Sequence, residues 1–307
     1  TGSTTVTKTQ IDNGQLTFAP DSNENGSNYN TFTFTVNDGT TNSSSSYTMT
    51  VDVTAVNDAP TASNNTVTTN EDTDHTFAAS EFGFTDVDGD SLDHVTIETL
   101  PSNGTLLLSG SAVSAGDQIS AANITNLVFR PAANANGSGY GSFTFSVNDG
   151  TVDSASTYTM TVDVTAVNDA PTASNNTVTT NEDTDHTFAA SEFGFTDVDG
   201  DSLDHVTIET LPSNGTLLLS GSAVSAGDQI SAANITNLVF RPAANANGSG
   251  YGSFTFSVND GTVDSASTYT MTVDVTAVND APTVVNDTDS VTEGGTVIET
   301  TNSAGTV

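Results

Sequence analysis

The chain has no cysteine, a single lysine and two arginines in its 307 residues. Without cysteine, neither disulfides nor thiolate metal sites hold the fold, and the redox compartment is not legible. Lys8 is the only lysine, so amine-to-amide crosslinks are excluded within the two full repeats. Basic residues number 3 against 38 acids, a formal charge of −35. That balance excludes nucleic acid and anionic membrane as ordinary partners, since both need clustered Lys and Arg. No apolar run approaches the roughly 18 residues of a membrane helix, so this segment is not expected to insert in a membrane.

What the sequence does have is self-similarity. Asn57-Asp58-Ala59-Pro60 returns as Asn168-Asp169-Ala170-Pro171 and again as Asn279-Asp280-Ala281-Pro282, each 111 residues after the last. Residues 57-167 and 168-278 are identical. Residues 1-56 follow the C-terminal part of the same unit, with Pro20, Tyr29, Phe32 and Phe34 matching Pro131, Tyr140, Phe143 and Phe145. Residues 279-307 follow its N-terminal part, with Glu293 matching Glu182. The expected organisation is therefore two complete domains flanked by two partial ones, and a unit of this size is large enough to bury its own core.

Period-two alternation is the clearest local signal. Phe143, Phe145 and Val147 alternate with Thr144 and Ser146, and Tyr158, Met160, Val162 and Val164 with Thr159, Thr161 and Asp163. Asn148-Asp149-Gly150 starts the turn between them, which predicts a hairpin closing each repeat. Further strands are expected over 66-69, 75-78, 94-99, 105-108 and 124-129, separated by Asn, Asp, Gly, Ser and Pro clusters. No stretch shows a convincing helical period. Seven short strands rich in Thr and Val predict an all-β chain of tandem antiparallel Greek-key sandwiches of immunoglobulin type.

Each full repeat carries fourteen acids and one arginine, Arg130 or Arg241. Four acidic elements recur: Glu71 after the first strand, the run Asp86-Val87-Asp88-Gly89-Asp90, Asp149 in the hairpin turn, and the pair Asn57-Asp58. Calcium takes six to eight hard oxygens from carboxylates, amides and backbone carbonyls in irregular geometry, and loop Asp and Asn supply those. Asn-Asp-Gly alone is equally an ordinary hairpin turn. Three carboxylates within five residues repel one another unless a cation sits among them, although a merely solvated turn is the competing reading.

Together these residues resemble a known family. Val164-Thr165-Ala166-Val167-Asn168-Asp169-Ala170-Pro171 resembles the interdomain linker of cadherins, and of the bacterial cadherin-like repeats in giant RTX-type adhesins secreted by type I systems. Asp197-Val198-Asp199, Asp260 and Glu71 extend the resemblance, and Asn134-Ala135-Asn136-Gly137 matches the bacterial repeats better than the eukaryotic ones. The resemblance implies calcium ions between consecutive domains, with the repeats in a linear rod. The middle junction would use Glu71, Asn168, Asp169, Asp197, Asp199 and Asp260. The preceding junction would use Asn57, Asp58, Asp86, Asp88 and Asp149, and Asp38, Glu182, Asn279 and Asp280 are the corresponding residues elsewhere. Ala166 replaces the usual acid before Val-Asn-Asp and no Leu-Asp-Arg-Glu segment is present, so one or two ions per junction are expected, with Asp90 or Asp201 compensating.

An active site would more often occur once, whereas every acid cluster here recurs at the repeat period, so no enzyme is expected. His75, His94, His186 and His205 each stand beside an Asp at a strand start, which suits surface or capping histidines better than zinc or a triad. Two functions remain. One is a calcium-stiffened extender or stalk of a secreted bacterial surface adhesin, serving cell adhesion or biofilm formation. The other is a segment that contacts neighbouring copies to build a filament, sheath or matrix. The Thr- and Ser-rich surface offers no evident aromatic anchor patch, which favours the spacer.

Overall fold

A computed structural model describes residues 4–283 and Glu293. It divides into two units, residues 1–167 and 168–307, each built on one complete repeat. Residues 26–34 (β1) and 47–53 (β2) of the first unit form an antiparallel pair. The complete repeat that follows has nine strands. They are β3 (Asn65–Asn70), β4 (His75–Thr76), β5 (His94–Ile97), β6 (Thr105–Leu108), β7 (Ser111–Ala112), β8 (Gln118–Ser120), β9 (Leu127–Arg130), β10 (Gly137–Asn148) and β11 (Tyr158–Thr165). The second complete repeat reproduces the nine as β12 (Asn176–Asn181) to β20 (Tyr269–Thr276).

Two sheets face each other, in the orders β3-β11-β10-β5-β8 and β4-β9-β6-β7. The alternation seen in the sequence drives this packing, because the inward residues of β10 and β11 form the floor of the core: Phe143, Phe145, Val147, Met160 and Val162 are all buried. Opposite them lie Phe77, Leu106, Leu127 and Phe129. The rings meet edge to face, Phe77 on Phe143 at 5.7 Å and Phe82 on Phe145 at 4.9 Å, the geometry that aromatic quadrupoles favour. In the β1-β2 pair, Phe32 and Met49 are 44% and 46% exposed, against 1% and 0% for their counterparts Phe143 and Met160.

The predicted hairpin forms, with Phe143 opposite Met160 and Phe145 opposite Tyr158. Other expectations need correction. Ile124 to Asn126 belong to a 3-10 helix over Ala121–Asn126, and only Leu127 onward is strand; Ile124 is nonetheless fully buried, so its apolar side chain serves the core from a helical turn. A five-residue helix, α1 (Lys8–Asp12), is capped by Thr7 with Gln10 in a capping box. The pairs are antiparallel with one exception in each repeat: β3 runs parallel to β11, Asn65 beside Met160 and Asn70 beside Thr165.

That parallel pair sets the polarity of the repeat. β3 and β11 finish at the same end, where the chain leaves the domain, and β10 begins there. The opposite, entry end collects the β10–β11 turn, the start of β5 and the segment before β3. Glu71 therefore falls at the exit end, and Asp86 to Asp90 and Asp149 fall at the entry end.

Gly104 and Gly141 face the same ring. An added Cβ would stand 2.4 Å from Phe129 Cζ at Gly104 and 2.7 Å at Gly141. Gly141 has an ordinary φ, so its replacement tests packing alone. Gly141→Ala should destabilise its own repeat by about 1–3 kcal/mol through displacement of Phe129. Calorimetry should then resolve an early transition from one repeat, whereas a single unshifted transition would show that the ring yields freely.

Candidate metal centre

At the entry end of the first complete repeat, the loop Asp86 to Asp90 winds around one carboxylate. Asp86 Oδ1 accepts the backbone N–H of Asp88 at 2.8 Å and of Asp90 at 3.1 Å. Gly89 allows the turn with φ +86°. One carboxylate oxygen from each of Asp86, Asp88 and Asp90 lies within 4.8 Å of the others, and the same holds for Asp197, Asp199 and Asp201. The second oxygen of Asp86, Oδ2, is buried and has no hydrogen-bond partner, as is that of Asp197. A buried carboxylate oxygen without a donor is costly unless something positive faces it.

The linker is tied into this loop by two contacts. The N–H of Asp58 donates to Asp88 Oδ2 at 2.7 Å, and the Asn57 carboxamide donates to Asp149 Oδ2 at 2.9 Å. Asp149 is itself buried, and its Oδ1 accepts the N–H groups of Thr151 and Val152 at 2.6 and 2.8 Å. Donation from Asn57, then from the hairpin backbone, holds its carboxyl below the usual carboxylate range. The second repeat repeats the geometry: Asp169 N–H to Asp199 Oδ2 at 2.7 Å, and Asn168 to Asp260 Oδ2 at 2.9 Å. For Asp260 burial is the largest single influence and pushes upward, but Asn168 and the N–H groups of Val263 and Thr262 together outweigh it and bring the carboxyl down.

Glu71 is 2% exposed at the exit end. Its Oε1 accepts the Val167 N–H at 2.6 Å and its Oε2 the Asn136 carboxamide at 3.0 Å, and these donors, Val167 first, lower its pKa. Glu182 is held alike by Asn247 at 2.8 Å and the Val278 N–H at 2.5 Å, and is lowered as well. Asp38, in the turn after β1, accepts the N–H of Thr41 and both the hydroxyl and the N–H of Thr40. Thr41 first and then Thr40 bring it down to about 2. Asn279 and Asp280 are exposed, the Asn279 carboxamide donating to the Asp280 carbonyl at 3.2 Å.

Within each unit, then, the structure brings the linker Asn-Asp pair, the Asp loop and the hairpin Asp together, and sets the early Glu apart at the other end. Asn136 was not assigned as a contact of Glu71 by sequence reasoning, although the Asn134-to-Gly137 segment containing it was singled out. The all-oxygen donor set and the unpartnered Asp86 Oδ2 fit a hard cation such as calcium. Among the histidines, His94 Nδ1 lies 2.8 Å from Asp93 Oδ2 and His75 Nε2 lies 3.3 Å from Glu81 Oε2, local pairs with no sign of a shared centre.

A family model described as "Bacterial Ig domain" matches residues 57–165 and 168–276. The chain belongs to the bacterial Ig domain family. Among solved structures it is similar to human protocadherin-24 EC1-2, at 18% identity over 74% of this chain and 100% of that one, TM-score 0.43. It is also similar to mouse clustered protocadherin PcdhgC3 EC1-3, at 14% identity over 81% of this chain and 76% of that one, TM-score 0.42. An endo-fucoidan hydrolase of glycoside hydrolase family 107 aligns at 20% identity over 81% of this chain, TM-score 0.25, and the chain spans 34% of that enzyme's length. No curated protein sequence matches. For this bacterial Ig chain the architecture is that of tandem β-sandwich modules, as its repeats predict.

The lowered pKa values carry a sign. A carboxyl depressed in the fold contributes stability that is complete above its unfolded value, about 4, and is lost as pH falls through the folded value. With calcium chelated, the chain should stay folded through pH 4 and unfold only below it. Asn136→Ala with Asn247→Ala removes a donor from Glu71 and Glu182, and the acid midpoint by circular dichroism should rise toward 4. An unmoved midpoint would show that these donors do not set the acid limit.

Proposed function

We propose that this chain is a calcium-rigidified extender segment of a bacterial cell-surface adhesin, secreted and extracellular, with no catalytic role. The observation that carries the reading is the buried, unpartnered Asp86 Oδ2 in a loop whose neighbour Asp88 holds the linker N–H of Asp58. The loop, the linker and the hairpin converge through Asn57 and Asp149, so whatever fixes the Asp loop also fixes the direction in which the chain enters the domain. Membership of a tandem bacterial Ig family supports the extender role.

Calcium, when bound, supplies the positive charge that three clustered carboxylates lack. Asp86, Asp88 and Asp90, with Asp58 and Asp149, would hold it in one complete repeat, and Asp197, Asp199 and Asp201, with Asp169 and Asp260, in the next. Glu71 and Glu182, at the exit ends, would serve the junctions that follow. The linker has no Gly-rich run, and Pro60 and Pro171 restrict the preceding residues to extended geometry. The hinge is therefore short, and an ion shared across it removes the remaining rotation.

Calcium should raise the melting temperature and magnesium should do so far less, because magnesium demands near-octahedral geometry and dehydrates reluctantly. At a hundredfold excess over Kd the gain is about 2.7 kcal/mol per site. Asp197→Asn with Asp199→Asn should remove one site's share, while Asp153→Asn should change nothing. Small-angle scattering should give a larger maximum dimension with calcium than with chelator. Equal stabilisation by the two ions would sink the metal reading, and an unchanged dimension in a chain folded under both conditions would sink the stalk.

A further inference from the structure

His94 opens β5 with its side chain only 13% exposed. The residues opposite it in the sheet, Asn148 of β10 and Ser120 of β8, carry no charge. The titratable groups that face the ring are two carboxylates. Asp93, immediately before it in the chain, sets Oδ2 2.8 Å from Nδ1, and Asp153, in the turn between β10 and β11, sets Oδ1 3.9 Å from Nε2. Nε2 itself is buried and has no hydrogen-bond partner. His205 repeats the arrangement between Asp204 at 2.8 Å and Asp264 at 3.9 Å, its own Nε2 buried and unpartnered as well.

This pairing fixes the hydrogens of the ring. Two acceptors 2.8 Å apart would repel, so Nδ1 carries a hydrogen and donates it to Asp93. In the neutral ring Nε2 is then a bare lone pair, shut off from water and facing a carboxylate oxygen across 3.9 Å, a gap no hydrogen bond spans. In the imidazolium the same nitrogen becomes a donor. Charge-assisted contacts of this kind close to about 2.7–2.9 Å, so a movement of roughly 1 Å in the turn would make one. Asp153 Oδ1 accepts the Asn148 carboxamide at 2.7 Å, and its second lone pair remains for Nε2.

We propose that His94 and His205 are acid-operated clasps, each taking a second proton on Nε2 and tying the start of its strand to the hairpin turn through the side-chain oxygen of Asp153 or Asp264. The turn contributes an acceptor oxygen, which an asparagine would also supply. The clasp is independent of the calcium reading and draws on none of the residues assigned to it. Imidazole is the side chain whose charge changes between about pH 5 and 8, so each complete repeat is held more firmly in mildly acidic surroundings than in alkaline ones. The sign is that of a fold favouring the charged ring: the added stability is present below the titration of free imidazole, about 6.5, and is lost as pH rises above it.

The test melts the whole chain, calcium chelated throughout, at about pH 5.5 and at about pH 8. The unaltered chain should melt roughly 4–8 °C higher at the lower pH, and His94→Gln with His205→Gln should abolish that difference. Asp153→Ala with Asp264→Ala leaves the imidazoles in place and should remove most of it, whereas Asp153→Asn with Asp264→Asn should keep it. His75→Gln with His186→Gln, at the rings beside Glu81 and Glu192, should leave it unchanged. No difference in the unaltered chain, or one that survives the loss of His94 and His205, overturns the proposal. A difference lost with the two histidines but kept in full by the alanine pair also overturns it, because the ring would then be acting without the turn. Should the histidine variant fail to fold, the alanine and asparagine pairs decide the matter between them.

Discussion

Carboxylate repulsion is the constraint around which this protein is organised. A chain with 38 acids and 3 bases cannot answer its charge with ion pairs, and in each repeat a single guanidinium is taken by one partner, Arg130 by Asp74 and Arg241 by Asp185. The neutralising work falls to dipoles. Backbone N–H groups of Asp58, Asp88, Asp90, Thr151, Val152 and Val167 point at carboxylates, and the carboxamides of Asn57 and Asn136 do the same. Such donors favour the ionised form, which is why Asp149 and Glu71 sit low. They orient charge without cancelling it, and Asp86 Oδ2 is left with nothing to face.

The parallel pairing of β3 with β11 converts this local chemistry into a directional unit. Because first and last strands end together, the entering linker and the exiting linker lie at opposite ends of the sandwich, and the acids divide between them. The entry end holds the Asp loop and the hairpin Asp, and the exit end holds Glu71 clasping Val167. Each complete repeat therefore presents buried carboxylates at both of its ends, Asp149 where the chain enters and Glu71 where it leaves.

Much of this was legible in the sequence, and the failures have identifiable causes. The repeat, the Phe143–Met160 hairpin and the acids of the entry end were readable because period, alternation and charge are local patterns. The strands β7 and β8, two and three residues long, are too short to show a period. Ile124 alternates plausibly with its neighbours but lies in a 3-10 turn, since a single buried apolar side chain is compatible with either backbone. The parallel pair joins residues nearly a hundred positions apart and leaves no local signature. Asn136 escaped for another reason: it is neutral, and its carboxamide donates to Glu71 from 65 positions away, so neither charge nor local spacing marks it.

The diverged first piece separates the need for charge from the need for an acceptor. Asp153 pairs with Asn148 across the hairpin turn, its Oδ1 accepting the Asn148 carboxamide at 2.7 Å. At the same place in the first piece stands Asn42, and its Oδ1 accepts the Asn37 carboxamide at 2.6 Å. The contact asks for an oxygen, and an amide supplies one as well as a carboxylate does. Four residues earlier the first piece retains Asp38, matching Asp149. Both use one oxygen to accept the two N–H groups that close the turn, a task an asparagine side chain also performs in such turns. Turn closure alone therefore does not call for an acid at 38 and 149 while admitting an amide at 42. In the complete repeat the difference lies in the other oxygen, which at Asp149 is aimed at the linker through Asn57. Within one hairpin, charge is kept where the linker arrives and relaxed where only a hydrogen bond is made, the pattern expected if the linker carboxylates serve a cation and their neighbours serve the fold.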